Sequence, residues 1–500
     1  MTRRQFAASL GVAAARAANP DKPNIIVILA DDLGYGDLGC YNPESKIATP
    51  RLDQMAKQGV RFVDAHTPSG VCSPTRYGLL TGRYPWRSRL KTSVLWPWDE
   101  PLIEDGRLTL PAMLRKQGYR TGAFGKWHLG WTWHTRDGSR MNVDVERGDQ
   151  AREKRAAFAA KIDFTKPVTG GPTSVGFDYF FGVDLPNFPP YSFIENETVL
   201  AEPIETKPEK MFGWPGPMAP GWRLEGVMPE ITRRAVRFIE QSDGQPFFLY
   251  FPMTAPHTPI APEEEFKGKS RAGAYGDFVQ EVDWAVGEVL DALKRKGLER
   301  NTILFFTSDN GPENLTYPVA QEYAHFSMGK LRGAKRMLWE GGHRVPFIVW
   351  GPGRVPARSE ETETVCLTDV MATVAGMLGI ALPNDAAEDS YDVSSAVFGR
   401  PRKAPIREAT VHYSMDGQFA IRRGDWVYLD SRDGGGGRAE PEWMRKRLGV
   451  VAHQEPAELF NLRADPAQTR NLYSQEPSRV RELKAILEKY KREARSTPPR

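Results

Sequence analysis

The chain has 500 residues, 40% of them hydrophobic, enough to bury a large core, and its 46 glycines and 40 prolines imply many loops between regular elements. Its 67 basic and 63 acidic side chains leave a net charge of +4 with no long single-sign run, which argues against a nucleic-acid partner. No stretch reaches the roughly 18 consecutive apolar residues of a spanning helix, and the three cysteines, Cys40, Cys72 and Cys366, make neither a disulfide framework nor a C-x-x-C zinc pair.

In chain order, Arg3 and Arg4 precede a short Ala-rich stretch ending near Ala18, so residues 1–20 read as an export signal of twin-arginine type, with a disordered tail as the alternative. That route carries folded proteins and implies a periplasmic or extracellular location. Asn24 to Ala30 (NIIVILA) is the first strand. Thr49-Pro50 can cap and start a helix with Leu52, Met55 and Ala56 on one face, stopping at Gly59. Ser73 and Pro74 can cap and open a second helix towards Leu79 and Leu80, which puts Cys72 at a positive helix end, where an oxyanion is stabilised. A short strand over Tyr119 to Phe124 follows. Residues 185 to 225, rich in Pro, Gly and aromatics, read as surface loop or as the lining of a cleft. Ile231, Ala235, Phe238 and Ile239, then Phe278, Val282, Ala285, Val289 and Leu293, are core stripes of two helices. PFFLYF and TILFFTS are further strands. From about residue 400 the texture changes to short strands, a Gly434 to Gly437 loop and an amphipathic helix bearing Val480, Leu483, Leu487 and Tyr490.

Strand runs alternating with helical patterns predict an α/β fold: a large, mostly parallel sheet covered by helices on both faces. We place it in residues 21–395, with a small α+β subdomain, a short antiparallel sheet and a terminal helix, in 396–500. Polar residues follow the strands: Asp31 and Asp32, Lys126 and His128, His257, then Asp309 and Asn310. Ligands bind outside the carboxyl ends of strands in open α/β sheets, so these groups are expected to meet at one edge. Each alone is an ordinary turn or cap residue. Together, three carboxylates and an amide oxygen make a hard-cation site that favours Ca²⁺ or Mg²⁺ over zinc.

These residues also carry a resemblance. Cys72-Ser-Pro-Thr-Arg76 with Leu80-Thr-Gly-Arg83, Gly125-Lys-Trp-His-Leu-Gly130, Asp31 to Asp37, Ser308-Asp-Asn-Gly311, Leu331 to Gly342, and the Glu458 to Leu462 tail are similar, in order, to the signatures of the formylglycine-dependent sulfatases of the alkaline-phosphatase superfamily. The resemblance implies an alkaline-phosphatase-like fold and hydrolysis of sulfate monoesters. It implies that a formylglycine-generating enzyme converts Cys72 into formylglycine, whose hydrated aldehyde is the nucleophile. Asp31, Asp32, Asp309 and Asn310, with residue 72, match the ligands of one divalent cation, calcium preferred and magnesium the alternative. Arg76 and Lys126 match groups that hold the gem-diol and the sulfate, and His128 matches the base that breaks down the sulfated intermediate. His257 and Lys335 match the pair at the bridging oxygen, His257 as the acid. The departures are Ala334 and the Lys335-Arg336-Met337 run, where the family often has Lys-Gly-Thr.

A sulfated carbohydrate is the expected substrate. The rival readings are a phosphonate monoester or phosphodiester hydrolase of the same superfamily, and an inactive sulfated-glycan binding protein. His134 and His325 receive no role.

Overall fold

The computed structural model describes residues 22–142, 148 and 150–500, so the twin-arginine stretch lies outside the described residues. Among them, ten strands form one mixed sheet. In chain order these are β1 (Asn24–Ala30), β2 (Val60–Phe62), β3 (Arg120–Lys126), β4 (Tyr179–Val183), β5 (Ile194–Glu195), β6 (Thr198–Val199), β7 (Phe247–Pro252), β8 (Thr302–Ser308), β9 (Phe347–Trp350) and β10 (Ser359–Glu361). The spatial order is β10-β2-β9-β8-β1-β7-β3-β4-β5-β6. The five central strands, β8 to β4, run parallel. Antiparallel pairings flank them on both sides.

A centre strand of such a sheet has no solvent face, which explains the unbroken apolar run of β1. Ile25, Val27 and Leu29 enter one core cluster, while Ile26, Ile28 and Ala30 enter the other. Helices α1 (Pro50–Gln58), α3 (Val227–Glu240) and α4 (Gly273–Arg295) cover the second face with the stripes read from the sequence; α2 (Cys72–Thr81) sends Tyr77, Leu79 and Leu80 to the first.

Local differences from the sequence reading have physical causes. Thr49 precedes α1 without capping it. The carboxylate of Asp283 on α4 accepts from the first-turn amides of Arg51 (3.1 Å) and Leu52 (2.8 Å), supplying a charged partner that a threonine cannot match. Helix α2 begins at Cys72, with Val71 before it, and Ser73 instead accepts from the amide of Leu95 at 3.1 Å. β3 runs on to Lys126 because its ladder with β4 continues through Gly125 against Gly182, where a Cβ on Gly182 would lie 1.8 Å from the Gly125 carbonyl oxygen. Residues 185 to 225 are not all surface: Phe188, Tyr191 and Ile194 are buried.

A second, antiparallel sheet joins β11 (Thr410–Tyr413), β12 (Phe419–Arg423), β13 (Trp426–Leu429) and β14 (Glu458–Asn461) in that order. One face packs on α5 (Pro477–Arg492) through Ile421, Tyr428, Leu483 and Leu487. The other packs Ala420, Val427 and Phe460 on Met337, Leu338 and Trp339, which begin two residues after Lys335.

Candidate active site

The carboxyl ends of β1, β3, β7 and β8 bring the predicted polar residues to one edge of the sheet. Asp31 and Asp32 follow β1, Asp309 and Asn310 follow β8, Lys126 closes β3, and His257 lies five residues past β7. The amides of Asp31 and Asp309 donate to Ala255 O (3.0 Å) and Ala30 O (3.1 Å), locking the three strand ends together.

Cys72, at the first turn of α2, points its Sγ to Asp31 Oδ1 at 3.8 Å. Arg76, one turn further on and fully buried, donates from Nη2 and Nε to Asp309 Oδ2 at 2.7 and 3.0 Å, and from Nη1 to Lys126 O at 3.1 Å. Lys126 Nζ donates to Asp31 Oδ2 at 2.6 Å, and Lys335 Nζ lies 2.7 Å from Asp32 Oδ1. His257 Nε2 is 3.8 Å from Asp32 Oδ2, and its Nδ1 donates to Thr258 O at 2.5 Å. His128 donates from Nε2 to Leu95 O at 2.9 Å, which leaves Nδ1, buried and without a protein partner, as the ring's lone-pair nitrogen. All the site residues predicted from the sequence thus meet in this cluster; of the two histidines given no role, His134 is exposed and His325 is structural, its Nε2 donating to Asp37 Oδ1 at 2.8 Å.

The electrostatics follow from burial. Burial alone would raise the Asp32 carboxyl, yet Lys335, with His257 and Lys126, holds it well below the ordinary range. Burial and Asp31 push Asp309 up against the pull of Arg76. Burial, reinforced by Lys126, keeps His128 neutral. Burial and Lys335 draw His257 down to about 3, with Asp32 opposing. The Cys72 thiol is pushed up to about 12 by burial, although Lys126 and Lys335 pull the other way.

The donor set fits a hard cation. Asp31, Asp32 and Asp309 are fully buried carboxylates, and the amide of Asn310 is oriented by its Nδ2, which donates to Asp32 Oδ1 (2.7 Å) and Gly311 O (2.8 Å). Its Oδ1 is then a buried acceptor with no protein donor. Oxygen ligands of this kind suit Ca²⁺ or Mg²⁺.

The sequence reading missed four neighbours. Asp184 directly follows β4 and accepts from the His128 amide at 3.2 Å; the same strand-then-acid pattern that marked Asp31 would have found it. Glu313, three residues after Asn310, pairs with Arg336 and lies 3.8 Å from Lys335 Nζ. Phe188 and Trp214, from the Pro-rich segment, form an aromatic wall: Phe188 meets the His128 ring edge-on at 5.8 Å, and Trp214 lies 5.7 Å from Phe188 and 5.3 Å from Trp96. No periodicity marks residues of that kind.

A family model described as Sulfatase matches residues 23–380. N-acetylgalactosamine-6-O-sulfatase of Bacteroides thetaiotaomicron is 34% identical over 95% of this chain and 94% of its own length. Arylsulfatase A of Bos taurus is 33% identical over 91% of this chain and 84% of its own. A solved structure described under the metabolism of multiple glycosaminoglycans by Bacteroides thetaiotaomicron superposes with a TM-score of 0.78 at 32% identity, covering 95% of this chain and all of that one.

Proposed function

The chain belongs to the sulfatase family and is a sulfuric ester hydrolase, and from that premise we propose that its substrate is a sulfated carbohydrate and that the cluster around Cys72 is its active site. The observation that carries this is the convergence of four strand ends on Cys72, with Asn310 Oδ1 buried beside three carboxylates and unpartnered. N-acetylgalactosamine 6-sulfate is the first substrate to test, because a relative covering 95% of the chain is named for it. The half-buried Trp214 and Trp96 of that wall supply rings for the apolar face of a sugar, with the buried Phe188 packed against Trp214.

Cys72 as a thiol is a poor nucleophile, being protonated up to about 12. Oxidised to formylglycine by a formylglycine-generating enzyme before export, residue 72 presents a hydrated aldehyde instead, one hydroxyl to attack sulfur and a second whose proton can later be removed. Asp31, Asp32, Asp309, Asn310 and residue 72 would hold one divalent cation, calcium by preference; when bound, it neutralises sulfate oxygens and acidifies the attacking hydroxyl. Arg76, immobilised by Asp309 and Lys126 O, and Lys126 hold the charge of the nucleophile and the sulfate in a site with little water to screen it. His128, kept neutral with Nδ1 free, is the base that takes the second hydroxyl's proton. His257 uses Nδ1 on Thr258 O, so Nε2 is the atom that delivers a proton to the departing alcohol. Burial and Lys335 draw the free ring down to about 3, and Asp32, 3.8 Å from Nε2, is the neighbour that favours its protonated form. Lys335, held by Asp32, faces the same bridging oxygen.

The test joins chemistry to substrate. Active protein should show, in the peptide spanning Cys72, the mass of an aldehyde in place of a thiol, and should react with hydrazides. It should release sulfate from N-acetylgalactosamine 6-sulfate or another defined sulfated saccharide. Multiple turnovers by protein whose residue 72 is entirely thiol would sink the mechanism.

A further inference from the structure

Arg336 has φ +84°, a left-handed backbone that a long side chain rarely adopts. Asp32 (65°) and His128 (54°), both in the active-site cluster, share this sign of φ. The Arg336 backbone is fixed by three segments: its amide donates to Gly70 O at 2.7 Å, its carbonyl accepts from the Met415 amide at 3.3 Å, and a Cβ on Gly436 would stand 2.5 Å from that carbonyl oxygen. Gly70 lies two residues before Cys72, while Met415 and Gly436 belong to loops of the C-terminal sheet. Constraint of this kind persists where surroundings over-determine it, and it concentrates at ligand clamps.

The side chain is held as firmly. Nη1 and Nη2 donate to Glu313 Oε1 and Oε2, each at 2.6 Å, and Glu313 is itself 3.8 Å from Lys335 Nζ. A fork of this type uses two of the five guanidinium N–H groups. The other three have no further bonded acceptor among the described residues. The Arg336 and Glu313 side chains keep 14% and 11% of their surface accessible, whereas Asp31, Arg76 and Lys126 have none. The pair therefore borders the cluster on the side of Lys335 and His257, where the alcohol leaves, and presents donors outward.

We propose that Arg336, clamped by Glu313, is a specificity-determining residue that binds an oxygen acceptor on the sugar beside the sulfated carbon, a hydroxyl, an acetamido carbonyl or a carboxylate. This rests on the carbohydrate reading above. A simple aryl sulfate has no such acceptor and gains nothing from the contact.

The test compares N-acetylgalactosamine 6-sulfate and a panel of other sugar sulfates with 4-nitrophenyl sulfate, in the mature enzyme and in two variants. Arg336→Gly releases the left-handed constraint but leaves the Glu313 carboxylate without its fork, so the protein should stay folded with a modestly lowered thermal midpoint. Its selectivity for sugar over aryl sulfate should drop by about tenfold or more, mostly through KM, as expected when one hydrogen bond is lost from a site built to make it. Glu313→Gln, which keeps the volume and loosens the clamp, should shift selectivity the same way by a smaller factor. Parallel losses on both substrate classes, or unchanged selectivity in both variants, would overturn the assignment. A parent enzyme that cleaves the aryl sulfate and no sugar ester would sink the carbohydrate reading and this inference with it.

Discussion

Two buried clusters of ionisable side chains differ in a way that separates chemistry from construction. One is the Asp31, Asp32, Asp309, Lys126 and Lys335 group at the strand ends. The other lies at the seam with the C-terminal sheet, where His66, His343 and His412 are buried beside Asp64, Glu340 and Arg422. In the first, Asn310 Oδ1 and His128 Nδ1 are left without protein partners, and Asp32 and His128 sit on left-handed backbone. In the second, His412 Nε2 and Glu340 Oε1 also lack protein partners, but each imidazole has a ring nitrogen engaged: His343 Nε2 donates to Leu338 O at 2.9 Å, His412 Nδ1 donates to Thr67 O at 3.0 Å, and His66 Nε2 meets Asp64 Oδ1 at 2.9 Å. The rings of His343 and His412 stack at 3.8 Å with planes 10° apart. Stacked imidazoles hold their lone pairs side by side, so these two cannot aim at one shared ion in this arrangement. We read the seam cluster as a latch and the strand-end cluster as the active site proposed above.

The largest expected contrast comes from removing one member of each. Asp309→Ala should lose the cation and lower turnover by roughly a thousandfold, the scale on which groups that stabilise transition-state charge act. Metal analysis and sulfate release on the same folded sample check it. Metal content and rate both retained would remove Asp309 from the site. His343→Ala should leave turnover per folded molecule intact.

His257→Ala should sharpen the strand-end half of the contrast. An alkoxide leaving group needs a proton, and general acids contribute on the order of a hundredfold, so sugar sulfates should lose that much while 4-nitrophenyl sulfate, whose phenolate leaves unaided, loses far less. Equal losses would mean that His257 only positions substrate.

How far the sequence led follows the same divide. Strand-end residues were legible because apolar runs end abruptly in Asp, Asn, Lys or His, and because the topology of a parallel sheet sends all those ends to one edge. The buried β1 run and the stripes of α3 and α4 were legible for a similar reason, since periodicity records which faces are covered. The latch was not. His66, His343 and His412 come from segments 277 and 69 positions apart along the chain, and nothing local marks any of them. The same holds for Asp283 capping α1 and for Phe188 and Trp214 reaching His128: each depends on a partner supplied by packing.

The latch itself should fail as a structural element. Removing the His343 ring opens a cavity and leaves Leu338 O without its donor, a loss of about 2–3 kcal/mol. Denaturant unfolding of His343→Ala, followed by the fluorescence of Trp339 and its neighbours, measures it. A change below the error of the measurement would show that the seam is held by Met337, Leu338 and Phe460 alone.

The smallest effect is one of pH, and its sign is fixed by the direction of the shifts. Burial, with His66 and Arg422 nearby and Glu340 opposing, draws His343 down to about 3 from an ordinary 6.5, and burial with His343 and His66 draws His412 well below 6.5. Both rings are therefore neutral when folded and take up a proton on unfolding once the pH is below 6.5. Their contribution to stability is complete above 6.5 and is lost as the pH falls towards 3. Glu340 and Asp64 are both held below their ordinary carboxylate values, so they add to the loss only from about 4.5 downwards. Between 6.5 and 4.5 the buried histidines, His128 and His257 included, steepen the fall. Carboxyls raised by burial, Asp184, Asp283 and Asp309 to about 6 and Glu281 to about 8, take up protons in the folded state and act in the opposite sense in both proteins. Each such histidine steepens the fall by about 1.4 kcal/mol per pH unit. His343→Asn removes one titrating ring and keeps a polar side chain of similar reach. Its stability should fall with acid less steeply than the parent's by that one increment over this window, measured as denaturant midpoints at half-unit pH steps. Parallel curves for the two proteins would mean that His343 keeps its proton affinity on folding and that the latch is not held neutral.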